Sequence, residues 1–136
     1  MKNFAELVVR SYECDSYSHV NNANYLNYLE YGRMEYLHAI NFDYKGLVAA
    51  GYYLYISRID ISYKASAFLD DKLIISCEPI KFGKVSGKFY QSVIKSDKTV
   101  CAEAEVSWAI VSAETGRPVK FPQEFYVSGL EPSEKK

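Results

Sequence analysis

The chain has 136 residues, 49% hydrophobic and 24% charged, with a formal net charge of -1. That length fits one domain able to bury a sufficient core without staples, and the near-zero charge excludes the basic field that gathers nucleic acid or acidic membranes. Cys14, Cys77 and Cys101 are odd in number and widely spaced, which predicts no disulfide framework, no metal-ligand spacing and a reducing, cytoplasmic setting. The longest apolar run, Leu47 to Ile56, is broken by Gly51 and is too short to span a bilayer. No basic-then-apolar leader opens the chain, so no secretory signal is expected.

Phe4 to Arg10 reads as a first strand. A polar, turn-rich stretch from Glu13 to Asn22 follows, and then a segment of helical period. Leu26, Leu29, Arg33, Tyr36, Leu37 and Ile40 share one face, and Asn27, Glu30, Tyr31, Glu35 and His38 the other. Asn21 or Asn22 is the expected N-cap. Gly32 lies mid-helix on the apolar side, where glycine costs about 1 kcal/mol against alanine; a close approach of helix to sheet would justify it. Beyond a loop through Asn41 to Gly51 the period changes to two. Strands are expected at Tyr52 to Lys64, Lys72 to Phe82, Val85 to Lys95 and Thr99 to Ser112, the later ones joined by turns at Phe82-Gly83-Lys84 and Ser96-Asp97-Lys98. In the last strand Ala102, Ala104, Val106, Trp108 and Ile110 alternate with wetter positions, as in an antiparallel sheet covered on one side. The fold class is therefore α+β, with one helix against a five-stranded antiparallel sheet. One helix leaves an edge strand open, and pairing with a second copy would close it, so a homodimer is expected, with further pairing to a homotetramer open. Residues 1–128 form the expected domain and 129–136 a solvated tail. The 13 tyrosines suit half-buried strand positions, or a pocket or interface.

The densest polar cluster runs from Tyr12 to Tyr25. A carboxylate about seven residues before a helix can fold back beside the helix N-terminus, whose first amides are unpaired donors. Such amides suit a developing oxyanion, and Asp15 would then attack an acyl carbon or activate water. The same residues also read as a plain loop with an Asx-turn and a cap. Glu13 is expected to face solvent. Cys14 beside Asp15 and near His19 invites a thiol-nucleophile reading, but no third orienting group is evident.

Asp15, His19-Val20-Asn21-Asn22, Tyr25 and Tyr28-Leu29-Glu30-Tyr31-Gly32-Arg33 together resemble the hotdog-fold acyl-CoA thioesterases, in particular the 4-hydroxybenzoyl-CoA thioesterase-like branch. Asp70-Asp71-Lys72-Leu73 and Ser107 to Val111 followed by Thr115-Gly116-Arg117-Pro118-Val119 extend the resemblance across roughly Phe4 to Pro122. It implies a five-stranded antiparallel sheet wrapped around one central helix, and hydrolysis of an acyl-CoA to a carboxylic acid and free CoA, with no cofactor. Asp15 matches the catalytic carboxylate, Asn22 the residue whose backbone N–H polarises the thioester carbonyl, and His19 a motif histidine that shapes the loop or positions water. Glu30 and Arg33 match the helix pair and are expected to bond each other or a neighbouring subunit. The family's loop often carries glycine where this chain has Ser16-Tyr17-Ser18, so Tyr17 would line or occlude the acyl entrance. Tyr25 and Tyr28 line the pocket or pack the helix. The hairpin with Lys81, Lys84, Ser86 and Lys88 would receive coenzyme A phosphates, or is simply solvated. An acyl-carrier protein bears the same thiol arm and remains an alternative substrate, as does a non-catalytic role in acyl-thioester binding.

Overall fold

A computed structural model describes residues 1–15 and 18–133. Strand β1 is Asn3–Val8; helix α1 is Asn24–Ala39 and helix α2 is Tyr44–Ala49. Strands β2 (Tyr52–Tyr63), β3 (Lys72–Phe82), β4 (Ser86–Lys95) and β5 (Val100–Ser112) complete one sheet of order β1-β3-β4-β5-β2. Every neighbouring pair is antiparallel, and α1 lies across one face of the sheet, as the alternation in β5 required. Ala102, Ala104, Val106, Trp108 and Ile110 are all buried. Strand β2 pairs only with β5, so one long edge remains open among the described residues. No helix among the described residues is long and apolar enough to cross a membrane.

In β2 the half-buried positions Leu54 and Ile56 differ in parity from Ile59 and Ile61. A register shift between Ile56 and Arg58 supplies the extra residue, so all four pack against the core.

Helix α1 differs from expectation by a rotation. Its buried face is Tyr25, Tyr28, Leu29, Gly32, Tyr36 and Leu37, while Leu26 is 40% exposed. Tyrosines here do the work expected of Leu26, because a large ring can fill the space over the sheet while its hydroxyl reaches a partner at the rim. The helix begins at Asn24 rather than at an Asn21 or Asn22 cap. Asn21 instead forms a turn ahead of it, its Oδ1 accepting from the Ala23 amide (2.8 Å) and its carbonyl from the Asn24 amide (2.9 Å). At the other end Asn41 takes φ 61°, and the Phe42 amide reaches back to the Leu37 carbonyl at 2.9 Å while the Phe42 ring is buried. Asparagine tolerates that left-handed cap well.

Two expectations are corrected. The stretch from Asn41 to Gly51 is not all loop: Asp43 Oδ1 accepts from the Gly46 amide at 3.0 Å and starts α2, which buries Leu47. The packed body also passes residue 128. Leu130 is buried, and the Tyr36 hydroxyl donates to the Gly129 carbonyl at 2.6 Å.

Gly32 is where the helix meets the sheet. A Cβ there would stand 2.5 Å from Ile75 Cγ2 and 3.2 Å from Gln91 Nε2. Gly32→Ala should therefore lower stability by about 1–2 kcal/mol, since overpacking of that kind exceeds the helix-propensity gain. Urea unfolding of the purified variant measures this, and a stabilised variant would mean that the helix is free to lift.

Candidate active site

The polar stretch folds back on itself ahead of α1. Cys14 and Val20 form an antiparallel bridge, and the Asn21 amide donates to the Glu13 carbonyl at 3.0 Å. Inside this hairpin the Asp15 amide donates to the His19 carbonyl and the Ser18 amide to the Asp15 carbonyl, both at 3.0 Å, with Ser18 at φ 68°. The returning arm is stitched to the segment before β3. The Val20 amide donates to Ala67 (2.8 Å), the Leu69 amide to Ser18 (3.0 Å), and His19 bridges Phe68. A backbone so bonded places Asp15 beside the turn that opens the helix.

His19 Nδ1 lies 3.5 Å from Asp15 Oδ2, and both side chains are about one-third exposed, at 38% and 35%. The His19 ring stands edge-on to Phe68. Water can thus reach the carboxylate while the imidazole limits its rotation. At the helix entrance, the amides of Asn21, Ala23, Asn24, Tyr25 and Leu26 each donate to an internal acceptor. The Asn22 amide has none among the described residues, and Asn22 is exposed. An amide in this position is an available donor for an incoming oxygen. The structure therefore brings together Asp15, His19 and the Asn22 backbone.

Three supports of the site left little trace in the sequence. The Tyr63 hydroxyl donates to the Asn22 carbonyl at 3.2 Å from the end of β2. The Ala67 amide donates to the Tyr25 hydroxyl at 3.2 Å. Glu13 is no solvent-facing bystander: its Oε1 accepts from the Tyr28 hydroxyl at 2.8 Å and from the Arg10 amide at 2.9 Å. Burial, then Glu13, pushes the Tyr28 hydroxyl well above the ordinary tyrosine range, so it stays protonated and donating. The reciprocal spacing of Glu13 and Tyr28 across fifteen residues is invisible without the fold.

Other expected site residues fall elsewhere. Tyr25 is buried in the core, 5.9 Å from the Tyr28 ring and 5.5 Å from that of Tyr63, not on an open wall. Glu30 and Arg33 form no ion pair among the described residues; Arg33 Nη1 donates instead to Gln91 Oε1 at 3.2 Å. Gln91 is fully buried on β4 and a better-placed acceptor for the half-buried guanidinium. Glu30 and Arg33 flank a cavity of about 80 Å³ against Met34, Leu37, Phe89 and Trp108. Lys84, Ser86 and Lys88 sit at the β3–β4 turn, the far end of the sheet from Asp15 in the same chain. Tyr17 lies outside the described residues. The Cys14 thiol is pushed up by desolvation and then by Glu13 and Asp15, which disfavours the thiolate that a cysteine nucleophile needs.

A sheet wrapped on one long helix, with a carboxylate beside the helix entrance, defines the hotdog-fold thioester hydrolases. The profile of the thioesterase-like superfamily matches residues 9–128, and the chain belongs to that superfamily. Among solved structures it is similar to a probable thioesterase, YbaW, from Escherichia coli, at 28% identity over 90% of this chain and 92% of that one, with a TM-score of 0.77. It shares its fold with a DHNA-CoA thioesterase from Staphylococcus aureus, at 17% identity over 88% and 80% of the two chains and a TM-score of 0.84. A hypothetical protein from Staphylococcus aureus, solved in complex with CoA, gives 18% identity, coverage of 92% and 79%, and a TM-score of 0.84. No curated protein matches the chain.

If the Asn22 amide receives the substrate carbonyl, its side chain is nearly irrelevant. Asn22→Ala should keep most thioester hydrolysis, whereas Asn22→Pro removes the donor and should add about 2.7–4 kcal/mol to the barrier. Equal, mild effects of both changes on kcat would show that this amide does not hold the carbonyl.

Proposed function

We propose that the chain hydrolyses acyl-CoA thioesters to a carboxylic acid and free CoA, with Asp15 as the catalytic carboxylate. The observation that carries this reading is the juxtaposition of a water-accessible carboxylate with the exposed amide of Asn22, which has no acceptor among the described residues. The thioester oxygen would accept from that amide, and its negative charge in the tetrahedral state would be stabilised there. Asp15 either takes a proton from the attacking water or attacks the carbon itself. Both routes break the same C–S bond, and the departing thiolate takes up a proton. His19 acts as a positioning residue for the carboxylate. A thioester carbonyl is electrophilic enough, and thiolate a good enough leaving group, for this to proceed without a metal. The three free cysteines fit a reducing, cytoplasmic setting.

We also propose a homodimer joined along the free edge of β2. Twelve residues of that strand have an unpaired side, and exposed Tyr53, Tyr55 and Tyr63 lie along it. Antiparallel pairing of two such edges would bring the helix entrance of one copy beside the strands of the other, so the site would be completed at the interface. Light scattering at micromolar concentration should give twice the chain mass, and a monomer would refute the assembly.

The carboxylate itself is tested by Asp15→Asn, with thioester cleavage followed by a thiol-trapping dye. Asparagine keeps the size and hydrogen-bonding capacity of the side chain but can neither attack nor accept the proton of water. The expected loss in kcat is about a hundredfold or more, with unchanged melting. Near-native turnover on the best acyl-CoA found would refute the mechanism.

A further inference from the structure

A cleft of about 490 Å³ lies between the β3–β4 turn and the C-terminal segment, remote from Asp15 in the same chain. Its size is that of a small-molecule site. Phe82 and Tyr126 line it with ring centroids 5.8 Å apart, and Phe82 is braced from behind by Trp108 at 5.9 Å. Lys84 and Lys120 share its mouth because the Phe121 amide donates to the Lys84 carbonyl at 2.8 Å, fastening the two segments side by side. Neither lysine has a carboxylate within ion-pair distance among the described residues, whereas Lys88 is held by Glu105 at 3.4 Å in a separate depression. Gln123 and Glu131 complete the lining, and the Tyr126 hydroxyl donates to Glu131.

Aromatic faces beside two uncompensated cations suit a purine nucleotide. The base can stack on the rings, and a phosphate can bridge the lysines as point charges. The Gln123 amide offers a donor and an acceptor to the adenine edge, and the Glu131 carboxylate can accept from its exocyclic amine. We infer that this cleft binds the 3′-phosphoadenosine end of coenzyme A, so that CoA and not a carrier protein delivers the acyl group. This rests on the thioesterase reading above for the choice of nucleotide. A carrier-bound phosphopantetheine arm has neither adenine nor 3′-phosphate, and the cleft would add nothing to its binding. The cation pair is then Lys84 with Lys120, in place of Lys84 with Lys88. Strand β3 runs from near the Asp15 loop to this cleft over eleven residues, about 33 Å at the rise of a strand. The cleft would therefore serve the carboxylate of a second copy paired along β2, whose strands run the opposite way.

Titration calorimetry of the whole protein with adenosine 3′,5′-bisphosphate tests the cleft without any turnover. Saturable binding is expected, weakened about tenfold or more in Lys84→Glu/Lys120→Glu and in Tyr126→Ala, and unchanged in Lys98→Glu, a charge control on a remote turn. Lys84→Gln/Lys120→Gln should weaken it in the same direction should the charge reversal melt early. In kinetics the double variant should raise KM for an acyl-CoA with kcat little changed, and leave the matching acyl-pantetheine untouched. No binding of the bisphosphate, or equal binding by the double variant, overturns the inference. Acyl-CoA turnover with unaltered KM in the double variant also overturns it while sparing the hydrolase reading. Binding that follows the variants, with no thioester cleaved, sustains the cleft and sinks the hydrolase reading.

Discussion

The structure depends on how closely α1 is pressed to the sheet. At Gly32 the helix backbone approaches Ile75 so nearly that a single methyl group would collide. Gln91 then reaches from β4 to that backbone, its Nε2 donating to the Leu29 carbonyl at 2.9 Å while its Oε1 takes the hydrogen bond from Arg33. A buried amide with both ends satisfied at low dielectric fixes register as well as distance. From that seat Tyr25 and Tyr28 extend to the rim and hold Ala67 and Glu13. The helix seat thus reaches the active-site loop through two buried rings, whose hydroxyls are the last links.

The electrostatics of the site are modest, in keeping with a shallow carboxylate open to water. Positive potential comes from the helix entrance and its one exposed amide rather than from a buried cation. Burial is instead concentrated in the tyrosine supports, and it keeps the hydroxyls of Tyr25 and Tyr28 protonated. This divides the labour between a solvated reacting edge and a dry frame that sets its position.

Much of this was legible from residue order. Period-two runs located β2 through β5 to within a residue or two at each end, because tight turns at Gly83 and Asp97 punctuate them. Gly32 announced the close approach. The polar cluster pointed to Asp15, His19 and Asn22 by type and spacing, and the fold brings those three together. Periodicity misjudged the helix face, because it scores Leu26 above Tyr25, and only the rim partners make the tyrosines the better buried choice. Helix α2 has six residues, too few for a helical period to declare itself. Glu13 was misread because its partners, Tyr28 and the Arg10 amide, depend on the 3-10 turn at Ser11–Glu13. The pairing of Lys84 with Lys120 depends on a backbone bond between segments 37 positions apart, which local sequence does not encode.

The hairpin that carries Asp15 is fastened on both arms, through the bridge of Cys14 to Val20 and the bonds of Ser18 and Val20 to the strand-like run at Ala67 to Leu69. The carboxylate's backbone is therefore fixed by groups that every residue type possesses. Sequence drift at the two positions between Asp15 and Ser18 can alter what approaches the site without moving the group that reacts. Reactivity and selectivity are in this sense separate modules within a single turn, and a lineage could retune the second while the first stays in place.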